Sequence, residues 1–442
     1  MKTGFAKIEI TPPLGSNLNG YYRERYADHV IEPLYVTAVA YSDGENTALT
    51  ISLDISEILQ RDTNDIREKV SKHTGVPFEA VFLACIHTHT APVISEIPGF
   101  FKRDEKYYEE FCDKICLCAA EAINDMKDSV VSIARGQVEG ITFIRRYRMK
   151  DGSTVTNPKE DVLDQVIGPI GETDKTLQLI KIQREDAPDI AIVHYANHPD
   201  VIGGKGICPD WPGFMRDTVE AALAKEANGK GVRVVFFNGA QGDVNQWNSM
   251  KGEYPRGVEH SRHMGRVLAG VVLSIYTYTE PVSCELVHFK QNMARVATAK
   301  GTEEDVAKAK LLNEKYVARE EKTIPGFSFN DVVMARKYIR LEEAEPFVNL
   351  NVLCIALGDI AFVGLPGEPF TDIGRQIKEN SPFPMTIVCC NANGSEGYFP
   401  TDEALNEKGY ESSSSLFLPG VASELLNTSL KTLQELKIKE RG

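Results

Sequence analysis

No stretch of this 442-residue chain approaches the roughly 20 consecutive apolar residues that a membrane-spanning helix needs. Basic residues are also in deficit: 49 Lys and Arg stand against 63 Asp and Glu, a formal net charge of -14. That balance argues against nucleic-acid and anionic-membrane partners, which need a basic face to offset phosphate. The opening Met1-Lys2-Thr3-Gly4-Phe5-Ala6 runs directly into the alternating Lys7-Ile8-Glu9-Ile10. It lacks the positive stub, apolar core and cleavage site of a secretory leader, so a cytoplasmic location is expected. Internal repeats and low-complexity tracts are absent too.

Paired cysteines are the next thing missing. The nine thiols (Cys85, Cys112, Cys116, Cys118, Cys208, Cys284, Cys354, Cys389 and Cys390) are an odd number, mostly inside apolar runs, where cysteine behaves as a small hydrophobe. A reducing compartment suits them. Cys112, Cys116 and Cys118 sit in a helical pattern from Tyr107 to Met126 with no Cys or His pair at zinc-finger spacing, which makes them structural.

What remains is ordinary globular material, 42% hydrophobic and 25% charged, enough for a sizeable core. Short β-rich runs repeatedly end in polar or glycine-containing turns. Ala80 to Ile86 precedes His87, Asp189 to Tyr195 precedes Asn197-His198-Pro199, and Val232 to Phe237 precedes Asn238-Gly239. Ile360 to Val363 precedes Leu365-Pro366-Gly367-Glu368, and Met385 to Cys390 precedes Asn391-Ala392-Asn393-Gly394. Amphipathic patterns intervene at Phe214 to Ala227, Ser261 to Tyr278 and Thr371 to Glu379. The expected fold is α/β, a mixed and largely buried sheet core flanked by helices in one domain over 1–442. In such folds ligands gather beyond the carboxyl ends of the strands, so the turns are candidates for one shared site. The Glu- and Lys-rich stretch Thr302 to Arg340, helical from Glu303 to Glu320 with a turn at Pro325-Gly326, reads either as a solvated surface insertion or as a lid over that site.

The tetrad His87-Thr88-His89-Thr90 carries most of the chemistry. Residues two apart in an extended segment point to the same side, so His87 and His89 present two imidazoles to one place. Two donors are an incomplete site, and such a pair also serves as polar decoration at a strand end. His198 is a further donor, its backbone biased toward extension by Pro199. Glu368 is another, at a strand-to-helix junction where Gly367 permits close backbone approach. Each has a plainer reading, His198 as a satisfied loop histidine and Glu368 as a charge favouring the helix dipole. A His, His, Glu set leaves an open coordination position, as in catalytic zinc sites.

These segments resemble the neutral, non-lysosomal ceramidases and their bacterial relatives. The resemblance rests on Lys7-Ile8-Glu9-Ile10-Thr11-Pro12-Pro13-Leu14-Gly15, His87-Thr88-His89-Thr90, Asn197-His198-Pro199, Gly239-Ala240-Gln241-Gly242-Asp243-Val244-Asn245, Leu365-Pro366-Gly367-Glu368, Tyr398 and Tyr410, in family order across nearly the whole chain. It covers the amino-terminal catalytic domain and implies that the carboxy-terminal immunoglobulin-like domain is missing. It further implies that His87, His198, Glu368 and Tyr398 bind one Zn2+ ion, with His89 and Tyr410 beside the reacting carbonyl. Arg145, or the adjacent Arg146, would match the family's arginine at the same centre.

Zinc lowers the pKa of bound water to about 7 and polarises a carbonyl, while His89 can move a proton and Tyr410 or Arg145 can stabilise an oxyanion. One position departs from the family: Asn245 stands where ceramidases have a serine assigned to catalysis. An amide cannot act as a nucleophile but can donate a hydrogen bond. The expected activity is therefore hydrolysis of an amide, ester or lactone in a small polar substrate. The other readings are a true ceramidase, a zinc-dependent lyase or isomerase acting on a sugar-derived ketone, and a non-catalytic, metal-stabilised binding protein.

Overall fold

In the computed structural model, which describes residues 1–97, 100–317, 324–407 and 409–439, the apolar runs assemble into two principal sheets. The larger has nine strands. From edge to edge it runs Val232–Asn238, Asp189–Tyr195, Thr176–Arg184, Lys127–Gln137, Lys2–Glu9, Tyr35–Ser42, Thr47–Leu53 and Val81–Cys85, with Glu280–Pro281 paired beside Lys127–Gln137. Its two outermost pairs are parallel, and the pairs between them are antiparallel. The smaller sheet orders Val287–Ala297, Phe347–Leu357, Ile360–Gly364 and Met385–Cys389, and again only the last pair is parallel.

The sequence pattern follows this division. Parallel strands have both faces covered, and Val81–Cys85, Asp189–Tyr195, Ile360–Gly364 and Met385–Cys389 are buried at every position. The antiparallel Lys127–Gln137 keeps exposed positions along its length. One apolar cluster joins Val36, Leu49 and Leu83 of the larger sheet to Leu353, Phe362 and Ile387 of the smaller. At its centre Phe82, Phe237 and Phe362, one ring from each parallel pair, meet edge to face with centroids 5.8–6.3 Å apart. Such contacts add about 0.5–1.5 kcal/mol each beyond burial, and here they gather three parallel pairs into one body.

Helix boundaries differ from the hydrophobic pattern where capping chemistry intervenes. The pattern from Phe214 to Ala227 becomes a helix over Trp211–Ala222, because the Asp210 carboxylate accepts from the Trp211 N–H and Pro212 suits the first turn. Ser261 to Tyr278 becomes Val258–Ile275, and Tyr107 to Met126 becomes Glu105–Asn124 with Asp104 capping Tyr107. All nine cysteines are buried, and none forms a disulfide.

The charged stretch holds two helices rather than one. Glu303–Val317 is the first, and 318–320 lie outside the described residues. The second, Phe329–Arg340, starts at a reciprocal cap in which Ser328 and Asp331 each accept from the other's backbone N–H. Leu312 and Tyr316 of the first pack on Val332 and Ala335 of the second. Among the described residues, no helix is long and apolar enough to cross a membrane.

Candidate metal centre

The three parallel pairs end on the same side of the core, and the candidate donors leave from those ends. Asn238 closes the strand Val232–Asn238 and ties two of them together. Its Nδ2 donates to the carbonyls of Ile86 and Asn197, each at 3.0 Å, one residue before His87 and His198 respectively. Backbone bonds do the rest: His87 N donates to Ile55 O and Cys390 N to Asn238 O, both at 3.0 Å. The glycines of the 239–242 turn are required by close approach. A Cβ on Gly242 would fall 2.5 Å from the Glu368 carbonyl, and one on Gly367 would fall 2.4 Å from the Gly397 carbonyl.

His87 and His89 do meet, but not as neighbours along an extended strand. His87 has φ +74°, in the left-handed region that non-glycine residues adopt only under constraint. The chain therefore turns at the tetrad, held by Thr88 and Thr90, whose hydroxyls both donate to Cys208 O, at 2.7 and 2.8 Å. The turn brings His87 Nε2 to 3.2 Å from His89 Nε2, with His198 stacked edge-on to both. One ligand atom from each of His87, His89 and His198 lies within 4.8 Å of the others, and all three residues are buried.

Glu368 completes the cluster, its Oε2 lying 3.3 Å from His87 Nε2 and 3.5 Å from His198 Nε2. It is free to do so because Asp243, not Glu368, serves the following helix Thr371–Asn380: Asp243 Oδ1 accepts from Thr371 N at 2.8 Å and from Thr371 Oγ1 at 2.6 Å. Gln241 Nε2 donates to the same Glu368 oxygen at 3.2 Å.

The imidazole orientations suit a cation. His87 Nδ1 lies 2.9 Å from Ser56 O and His198 Nδ1 3.3 Å from Gln241 O, which assigns those nitrogens as donors and leaves each Nε2 facing the cluster. Backbone carbonyls behind ligating histidines are the usual means of fixing tautomer and ring direction. Burial, reinforced by neighbouring cationic groups, holds His89 and His198 well below the ordinary histidine value, so both are neutral and competent as ligands. For His87 burial acts the same way, but the Glu368 carboxylate outweighs it and raises the pKa. Burial alone would raise Glu368, yet His87 and then Arg145 bring it below its usual range.

Around this cluster the structure separates the two adjacent arginines. Arg145 is buried with Nε on Glu411 Oε1 at 2.8 Å and a terminal nitrogen on Gly242 O at 2.7 Å, and its guanidinium lies 5.4 Å from the Tyr398 ring and 5.8 Å from that of Tyr410. Arg146 turns away, onto Phe370 and Glu407. Tyr398 and Tyr410 pack edge to face at 5.8 Å, and burial pushes both phenols well up. Asn245 has both ends of its amide in use, donating to Asn157 Oδ1 at 2.7 Å and accepting from Trp247 N at 3.0 Å.

Several residues at the site carried no usable sequence signal. Tyr22, in an irregular segment, shares a hydrogen bond with Tyr410. Asp200 lies 3.8 Å from His89 Nδ1 and accepts from Tyr21; its place directly after His198-Pro199 was the one available hint. The cavity in front of the histidines is small, about 170 Å³, and Phe101, Arg336 and Lys337 line it together with Tyr22, Tyr398 and Tyr410. A larger groove of about 830 Å³ lies elsewhere; of its cations, Lys378 pairs with Asp174, Arg375 with Glu172 and Asp372, and Lys175 with Glu139, while Arg135 donates to the Pro384 carbonyl.

No family model and no curated protein matches the chain. Solved structures do. The neutral ceramidase from Pseudomonas aeruginosa superposes with a TM-score of 0.76 at 16% identity, over 100% of this chain and 74% of that one. A structure described as a ceramidase complexed with C2 gives 0.75 at 14% identity, over 100% and 75%. The α/β architecture that carries the histidine cluster is thus the neutral-ceramidase fold.

Proposed function

We propose that the chain is a zinc-dependent hydrolase acting on the amide, ester or lactone carbonyl of a small polar substrate. The observation that carries this reading is the convergence of His87, His89, His198 and Glu368 in one buried cluster at the mouth of a cavity. Two imidazoles whose Nε2 atoms face the cluster, a carboxylate and a nearby phenol are a donor set suited to zinc, with His87, His198, Glu368 and Tyr398 as the holders. Bound zinc supplies Lewis acidity, polarising a carbonyl and making water nucleophilic near neutral pH.

The remaining groups divide the work. His89, neutral and backed by Asp200, accepts and returns the proton. Arg145 and Tyr410 present positive charge and an O–H donor where an oxyanion develops. Asn245 contributes hydrogen bonding rather than nucleophilic attack. The likeness of the fold to ceramidases favours ceramide as a second candidate substrate. The cavity volume favours something smaller, since about 170 Å³ lies below the ~300–1,000 Å³ of pockets for drug-sized ligands. Nine buried thiols fit a reducing, cytoplasmic setting.

The test is a panel of small amides, esters and lactones run beside ceramide, with products identified by mass. Addition of one water to a small substrate is expected, whereas products isomeric with substrate would replace hydrolysis by lyase or isomerase chemistry. Asn245→Ser is expected not to create ceramide cleavage. Efficient cleavage of ceramide by the unaltered protein would overturn the preference for a small polar substrate.

A further inference from the structure

The helix Phe329–Arg340 delivers three cations, Arg336, Lys337 and Arg340, to the cavity in front of the histidines. Only the last is neutralised, by Glu396 at 2.8 Å. Among the described residues no carboxylate forms an ion pair with Arg336 or Lys337. Arg336 is 9% exposed; one terminal nitrogen donates to Tyr22 O at 2.6 Å, and its buried Nε has no partner. It is surrounded by the rings of Tyr22, Phe100 and Phe101, with the guanidinium 4.5–5.5 Å from their centroids. Burial lowers its pKa to about 10, and lowers that of Lys337 to about 8. Two half-desolvated charges left without a carboxylate partner among the described residues of this cavity call for an explanation.

We propose that the cavity takes a substrate bearing an anionic group, a carboxylate or a phosphoryl group, which Arg336 and Lys337 hold while the scissile carbonyl faces the histidines. The inference deepens the hydrolase reading and rests on it for the position of the carbonyl. An uncompensated buried cation is costly, and a ligand anion that pairs with it recovers that cost only when bound, which gives selectivity over neutral analogues. The two residues have complementary chemistry, since Arg336 is a planar fork steadied by aromatic rings and Lys337 a mobile point charge. Tyr22 links the two ends of the cavity, its carbonyl accepting from Arg336 and its hydroxyl bonded to Tyr410. The neutral tails of a ceramide offer nothing to these cations.

Calorimetric binding to the full chain tests the proposal with three probes of matched size: N-acetylglycine, its neutral amide, and the phosphate monoester of N-acetylethanolamine. At least one anionic probe is expected to bind tenfold or more tightly than the neutral one. In Lys337→Gln that preference is expected to fall below threefold with the unfolding temperature retained; Arg336→Gln should act in the same direction, but it loses aromatic packing as well. Equal binding of charged and neutral probes, no binding by any probe, or a preference that survives Lys337→Gln would overturn the anion site. A preference abolished by Lys337→Gln in a protein that hydrolyses nothing would uphold the anion site and remove the hydrolase reading. Hydrolysis with equal kcat/KM for charged and neutral amides would do the reverse.

Discussion

Glu368 and Tyr398 are register partners in a two-stranded parallel ladder, with Glu368 opposite Tyr398 and Pro369 opposite Phe399. Thirty positions apart in the chain, the carboxylate and the phenol are held side by side by backbone pairing, and Arg145 reaches over the Tyr398 ring while Gln241 donates to Glu368. The ladder is two residues long and buried on both strands, so its geometry depends on the glycine contacts behind it, Gly367 against Gly397 and Gly242 against the Glu368 carbonyl.

Removal of a ligand should cost metal before it costs fold. His87→Ala, His198→Ala and Glu368→Ala each take one donor from a cluster assembled from three distant segments, so bound zinc and activity are expected to fall together while the core stays folded. Elemental analysis beside circular dichroism checks this, and full zinc occupancy in two of the three variants would remove the assignment.

The two tyrosines should separate. Tyr398→Phe is expected to weaken the metal or alter its coordination. Tyr410→Phe should retain metal and lose rate, by about 10²-fold or more if its hydroxyl donates to an oxyanion. Identical behaviour of the two variants, or wild-type kcat in both, would take them out of the mechanism.

Asn238 touches no substrate in this scheme, yet its replacement should reach the site. Asn238→Ala leaves the buried carbonyls of Ile86 and Asn197 without their donor, at a cost of about 1–3 kcal/mol for each. A fall in the urea midpoint with an unchanged slope, accompanied by weaker zinc binding, is the expected result. Undiminished stability would mean that other bonds suffice to join the two histidine segments.

His194 gives a pH dependence of known sign. It is fully buried, bonded to Val388 O at 2.8 Å through Nε2, and burial together with Lys378 depresses its pKa to about 3. The unfolded chain, with histidine near 6.5, therefore binds the extra proton first. The stability tied to neutral His194 is fully present above pH 6.5 and is lost as pH falls toward 3, at up to about 1.4 kcal/mol per pH unit. His194→Gln, which can keep the donor to Val388, should flatten the fall in unfolding temperature between pH 6.5 and 4 relative to wild type. An unchanged slope would show that His194 is not neutral in the folded state.

Strands whose pattern is local were legible in the sequence. Asp189–Tyr195 matches its apolar run end to end, and His87, His198 and Glu368 stand out because each follows such a run. Capping was less visible, which is why the helix at Trp211 starts earlier than its hydrophobic pattern and why the helix Phe329–Arg340 escaped notice behind its charge. The roles of Asp243 and Asn238 were hidden, since a side chain that bonds backbone more than a hundred residues away leaves no periodic trace.

The sequence by itself determined which segments are buried strands and which turns carry imidazole, carboxylate and phenol, because hydrophobic periodicity and residue chemistry are properties of short windows. Tertiary structure alone decided how closely His198 and Glu368 approach the His87 and His89 pair, that Arg145 rather than Arg146 faces the tyrosines, and that Arg336 and Lys337 enter the cavity with no carboxylate partner among the described residues. Those relationships depend on distances between residues remote in the chain, set by three parallel strand pairs packed around Phe82, Phe237 and Phe362. Long-range packing of that kind has no local signature to read.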